Sequence, residues 1–125
     1  GFNETIKIIM PASEAIEVNL LAILNDGIQD GEDVSWIYDA DIERLKKYNI
    51  DLVCSGIRAN DFALRWHLAG IDPRLVCSDI EESLDRALDN VPLGGRLDVI
   101  ATYTAMLQIR SILVSRSRKA DYEII

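Results

Sequence analysis

The segment VNLLAIL, residues 18–24, has one polar side chain in seven positions and no alternation of polar and apolar residues. It is short for a helix, and its continuity is that of a strand covered on both faces. Short apolar runs recur as VSWIY (34–38), IDLVC (50–54), RLVC (74–77) and RLDVIA (96–101). The segments around most of them have helical spacing instead. Phe2, Ile6, Ile9 and Met10 share one helix face, stopped by Pro11. Phe62, Ala63, Trp66 and Ala69 do the same in a helix over 59–69 that Gly70 ends. Ile80, Leu84, Ala87, Leu88 and Val91 form a third stripe, entered through a Ser78/Glu81 capping box. A last helix, from about Thr104 to Arg118, turns Ala105, Ile109, Ile112 and Leu113 inward. NDGIQDGED is a loop by composition, and DIERLKKY has room for a helical turn or two. Strands alternating with amphipathic helices predict an α/β fold, a Rossmann-like, mostly parallel sheet with helices on both faces.

At 125 residues the chain suits one domain, 1–125, with a core large enough to need no staples. Its 49% hydrophobic and 27% charged residues are an ordinary globular balance. A net charge of −8 argues against a nucleic-acid binder, which needs a basic face. Arg116, Arg118 and Lys119 form the one basic cluster and suit a solvated helix end. Cys54 and Cys77 lie in apolar runs without metal-site spacing and read as buried thiols in a reducing compartment; no metal site is expected. No apolar stretch approaches the ~20 residues of a membrane span, and no secretory signal is visible. Gly1 opens inside helix-like sequence, so the chain is expected to be a piece of a longer cytoplasmic protein.

Sites in open α/β sheets form outside the carboxyl ends of the strands. The residues that follow four of the five runs are therefore expected to share one edge. They are Asn25 and Asp26, then Asp39 and Asp41, then Ser55, Gly56, Arg58 and Asp61, and finally Thr102, Tyr103 and Thr104. This edge has carboxylates and hydroxyls but no nucleophile–base pair. His67, the one histidine, lies mid-helix as a packing or surface residue. There is no GxxxxGK[ST] loop, and Gly94-Gly95 precedes a strand rather than following one. A self-sufficient enzyme is not expected, although one group could be lent to a site completed by another chain.

Three motifs, LNDGIQDGEDVSWIYDAD, SGIRANDFALRWHLAGI and ATYTAMLQIR, follow one another in an order that resembles the MurT C-terminal domain family. MurT is the Mur-ligase-like subunit of lipid II isoglutaminyl synthase. The opening GFNE resembles the start of that family's C-terminal region, and the likeness covers nearly the whole chain. More loosely, the strand order and the Asn-Asp after the first strand are similar to Mur ligase C-terminal domains in general. The resemblance implies an ATP-dependent ligase that uses glutamine to amidate the D-glutamate of lipid II to D-isoglutamine in peptidoglycan synthesis, at the inner face of the membrane. It implies a GatD-type glutaminase as partner, whose Cys–His pair takes its acidic third member from the MurT chain. The matching position is Asp39 of the WIYD run, with Asp41 the nearby alternative. It further implies that ATP and Mg2+ are used by the full-length protein, with Asn25 and Asp26 the contribution of this domain to the nucleotide. The family's phosphate loop and zinc-binding cysteines belong to its central domain and have no match here, so this piece alone is expected to be inactive and to bind no cofactor.

A carboxylate that accepts a hydrogen bond from one imidazole nitrogen sets the tautomer that lets the other nitrogen move protons. A structural duty for Asp39 would be to cap IERLKKY, but Asp41 directly precedes Ile42 and fills that position better. Asn25 and Asp26 have the alternative of an Asx turn. Arg58 and Asp61 either bind across the edge or pair within a turn, and Thr102 and Thr104 either face substrate or cap the last helix. The rival reading of the whole is a non-catalytic α/β module that binds a nucleotide or a protein along the same edge. A third is a structural domain that orients a neighbouring ATP site.

Overall fold

A computed structural model describes residues 2–11 and 16–120. The chain runs α1 (Phe2–Ile9), β1 (Val18–Ile23), two single-turn 3₁₀ helices (Ser35–Tyr38 and Ile42–Leu45), β2 (Ile50–Ser55), α2 (Ala59–Leu68), β3 (Leu75–Cys77), α3 (Ile80–Leu88), β4 (Asp98–Ala101) and α4 (Tyr103–Ala120). The four strands form one sheet in the order β3-β2-β1-β4, and every pairing is parallel. The α/β, Rossmann-like expectation holds.

β1 is central and all six of its residues are buried. Because side chains alternate across a strand, the sequence deals them to two cores. Leu20, Ala22, Leu52 and Cys54 face α1, the 3₁₀ turns and α2, where Ile6, Phe62 and Trp66 complete the packing. Leu21, Ile23 and Val53 face α3 and α4, against Leu84, Ala87, Ala105 and Ile109. Continuous apolar runs are thus required, since both faces are dry.

VSWIY is not a strand. Val34, Ile37 and Ala40 are the buried residues of this stretch, and a spacing of three is the period of a 3₁₀ helix. The Asp33 carboxylate accepts the Ser35 N–H at 2.8 Å and starts the turn. Backbone bonds of the i→i+3 type then carry it on, Ile37 N–H to Val34 C=O and Asp39 N–H to Trp36 C=O. β-branched and aromatic residues mimic a strand here, but burial against α2 overrides that propensity.

Other boundaries differ in detail. Asp79, not Ser78, caps α3, its carboxylate accepting the Glu82 N–H at 2.8 Å. Arg116 is not simply solvated: it pairs with Asp85 at 2.8 Å and Glu81 at 3.4 Å, tying α4 to α3. The Lys119 side chain lies outside the described residues. Both cysteines are free, but only Cys54 is buried, and burial pushes its thiol up to about 12. Cys77 is only half-buried. Among the described residues no helix is long and apolar enough to cross a membrane.

Candidate functional site

The chain passes outward from β1 to β2 to β3 and then returns to place β4 on the other side of β1. The order therefore reverses between β1 and β4, and their carboxyl ends stand at the position where open α/β sheets generally bind ligands. Asn25 and Asp26 leave β1 there, and Thr102 and Thr104 leave β4.

Asn25 is 4% exposed and wholly engaged in joining the elements around this point. Its backbone N–H donates to Thr102 Oγ1 at 3.1 Å, and its amide nitrogen donates to Thr104 Oγ1 at 3.1 Å and Gln108 Oε1 at 3.3 Å. Its Oδ1 accepts the N–H of Ile57 at 3.0 Å. Both amide hydrogens are thus spent within the chain. Asp30 closes the far side: one carboxylate oxygen accepts the Thr104 N–H at 2.9 Å and the other takes the Thr104 hydroxyl. An anionic acceptor on the first turn of α4 satisfies an N–H that the helix cannot and suits the helix dipole. Asp30, rather than either threonine, therefore does the capping.

Asp26 faces outward beside Asn25 and meets Arg58 Nη1 at 3.0 Å, while Arg58 Nε meets Asp61 at 2.6 Å. The hydrogen bonds from Asp61 and then Asp26 raise the pKa of the Arg58 guanidinium. All three side chains are partly accessible, at 28% for Asp26, 34% for Arg58 and 50% for Asp61. Gly56 makes this junction possible. Its φ is +98°, and a Cβ there would overlap the Leu24 carbonyl and lie 2.9 Å from Asn25 Oδ1.

Asp39 and Asp41 do not join this cluster. With SWIY turned into a 3₁₀ helix, they lie inside the β1–β2 crossover and follow no strand. Asp39 terminates the first 3₁₀ turn and is exposed. It borders a shallow hollow of about 280 Å³ with Phe2, Asn3, Glu4, Trp36 and Ala40. Among the described residues its carboxylate makes no hydrogen bond or ion pair. Asp41, by contrast, is paired with Arg44, and its N–H donates to Asn3 Oδ1 at 2.8 Å. Asp41 does occupy the N-cap position of the second turn, but without a side-chain capping bond.

An aromatic contact from α1 anchors this segment. Trp36 packs edge-on against Phe2, with ring centroids 5.5 Å apart, while Tyr38 is 52% exposed. Beneath them lies Arg65, whose burial no local signal in the sequence marks. It is 4% exposed. Its Nε donates to Ile37 C=O at 2.8 Å and its Nη2 to Ala40 C=O at 2.9 Å. Glu43 takes the rest of the fork at 2.7 and 2.8 Å. Those bonds hold the Glu43 carboxyl below its usual range. His67 is exposed and pairs with Asp72 near the end of α2, away from both clusters. Among the described residues no three His, Cys, Asp or Glu side chains converge as a metal site would need.

Two separate polar sites therefore stand on this domain, one at the strand reversal and one on the crossover. A family model described as MurT ligase C-terminal matches residues 1–106. The lipid II isoglutaminyl synthase (glutamine-hydrolyzing) subunit MurT of Staphylococcus aureus strain COL is 43% identical over 85 residues, 66% of this chain and 19% of that protein. The subunit of the same name from Streptococcus pneumoniae strain ATCC BAA-255 / R6 is 34% identical over 116 residues, 84% of this chain and 26% of its own length. The chain thus spans about a fifth to a quarter of the length of these relatives. It belongs to the MurT ligase C-terminal family.

Proposed function

We propose that this chain is the domain of a lipid II isoglutaminyl synthase through which the ligase subunit meets a GatD-type glutaminase, and that Asp39 completes that partner's Cys–His site. One observation carries the choice of residue: Asp39 presents an exposed carboxylate with no hydrogen bond or ion pair among the described residues, whereas Asp41 is engaged with Arg44. In glutamine hydrolysis the partner's thiolate attacks the side-chain amide carbon, and the imidazole protonates the leaving ammonia. Asp39 would accept a hydrogen bond from the other imidazole nitrogen and stabilise the imidazolium that forms.

The strand-reversal site has a second duty in this reading. ATP and Mg2+ would be held chiefly by the ligase's other parts, and the carboxyl edge would close over the nucleotide. Asn25 would act from behind by fixing the edge, because both of its amide hydrogens are used. Asp26, Arg58 and Asp61 form the accessible rim. This rim carries two carboxylates to one guanidinium and fits a contact to the nucleotide better than a phosphate cradle.

The test uses the full-length subunit with its glutaminase. Asp39→Asn is expected to slow glutamine hydrolysis by about 10⁴-fold, the cost typical of losing the orienting carboxylate of a triad, while Asp41→Asn leaves it near wild type. Wild-type hydrolysis in Asp39→Asn would sink the proposal.

A further inference from the structure

A 3₁₀ turn is short and its hydrogen bonds are poorly aligned, so it is a weak mount for a group that must meet a partner's imidazole within a few tenths of an ångström. The mount here has outside support. Arg65 reaches up from α2, and its fork is divided between the carbonyls of Ile37 and Ala40, which flank Asp39, and the carboxylate of Glu43. Four of its five N–H donors have the bonds these distances describe. The guanidinium lies over the Tyr38 ring, 5.7 Å from its centroid. The Asp39 backbone N–H closes the turn onto the Ile37 and Trp36 carbonyls, while its carboxylate takes no part, so the support is directed at the backbone and leaves the carboxylate available.

We infer that Arg65 is a positioning residue for the transferred carboxylate: it sets the height and direction of Asp39 by clamping the two carbonyls on either side of it. This rests on the assignment of Asp39 to the partner's site. A lysine would keep the charge and most of the stem, but its single ammonium cannot span two carbonyls and a carboxylate in one plane. Glu43 is the second fastener, since it holds the guanidinium in the plane from which both carbonyls are reached.

The test is glutamine hydrolysis by the full-length subunit bound to its glutaminase, for Arg65→Lys, Asp39→Asn and the double variant. Co-elution with the partner and the thermal midpoint are followed in parallel. Arg65→Lys is expected to lower kcat by about 10- to 10²-fold, the scale of a displacement of roughly 1 Å, with KM for glutamine unchanged. The double variant is expected to be no slower than Asp39→Asn alone. Glu43→Gln, which keeps the Arg65 side chain, is expected to give a smaller loss with the same non-additivity, and it decides the matter if Arg65→Lys does not fold. A slow Asp39→Asn combined with a wild-type positioning variant, or with losses that multiply in the double variant, would overturn the role of Arg65 alone. A wild-type rate in Asp39→Asn would overturn both assignments.

Discussion

The side-chain oxygen of Asn25 accepts the backbone N–H of Ile57 at 3.0 Å, joining the end of β1 to the loop that opens α2. Through its amide nitrogen the same residue reaches Thr104 and Gln108 on α4. One buried amide therefore ties the end of β1 both to the loop that opens α2 and to α4, two helices on opposite faces of the sheet.

Asn25→Ala should for that reason destabilise the domain by about 1–3 kcal/mol, the cost of taking the acceptor from the partly buried Ile57 N–H and the donor from Thr104 and Gln108. Chemical denaturation of the domain checks it. A loss well below 1 kcal/mol would mean that water replaces the amide.

Gly56→Ala should be more damaging. The residue has φ +98°, where a side chain costs about 1–3 kcal/mol. The added carbon would also press on the Leu24 carbonyl and on Asn25 Oδ1. The expected result is a lower thermal midpoint together with weaker amide protection at Ile57 in hydrogen exchange.

Asp30→Asn tests the cap on α4. Loss of the charge at the helix start should cost about 1 kcal/mol. Because Asp30 and Asn25 both bond Thr104, the double variant with Asn25→Ala should not be additive. A double-mutant cycle measures the coupling, and strict additivity would contradict a shared network.

Asp98 gives a pH signature. Burial raises its folded pKa, with Arg96 at 3.3 Å only partly opposing the shift. A carboxyl with a raised folded pKa favours the native state most below the unfolded value, and this contribution is lost as pH rises through the folded value. Asp98→Asn should therefore stabilise the protein at neutral pH relative to wild type and flatten the fall in stability between about pH 4 and neutrality. Unfolding midpoints across that range provide the measurement.

The helix stripes were plain in the sequence because each faces one dry surface. Phe62 with Trp66, and Leu84 with Ala87, sit at the four- and three-residue spacings that a helix places on one side, and all four are buried. The carboxyl-edge residues Asn25, Asp26, Arg58, Asp61, Thr102 and Thr104 were also legible, since the end of a strand can be located from where its apolar run stops. The 3₁₀ turns were not. Val34, Ile37 and Ala40 are too few to establish a period, and the aromatic composition of SWIY suggested a strand.

What the sequence determined by itself is the alternation of two-faced strands with one-faced helices, hence a parallel sheet and an edge where polar residues gather. Burial requires that much, because apolar side chains must be covered wherever they occur. Only the tertiary structure decided which carboxylates are available. Asp30 meets Thr104 across 74 positions of chain, and Arg65 finds its acceptors 22 to 28 positions away. Such pairings satisfy buried polar groups through space, and local sequence does not encode who the partner will be. That is why Asp39 faces outward with its carboxylate unpaired among the described residues, while Asp41, two positions on, is held by Arg44.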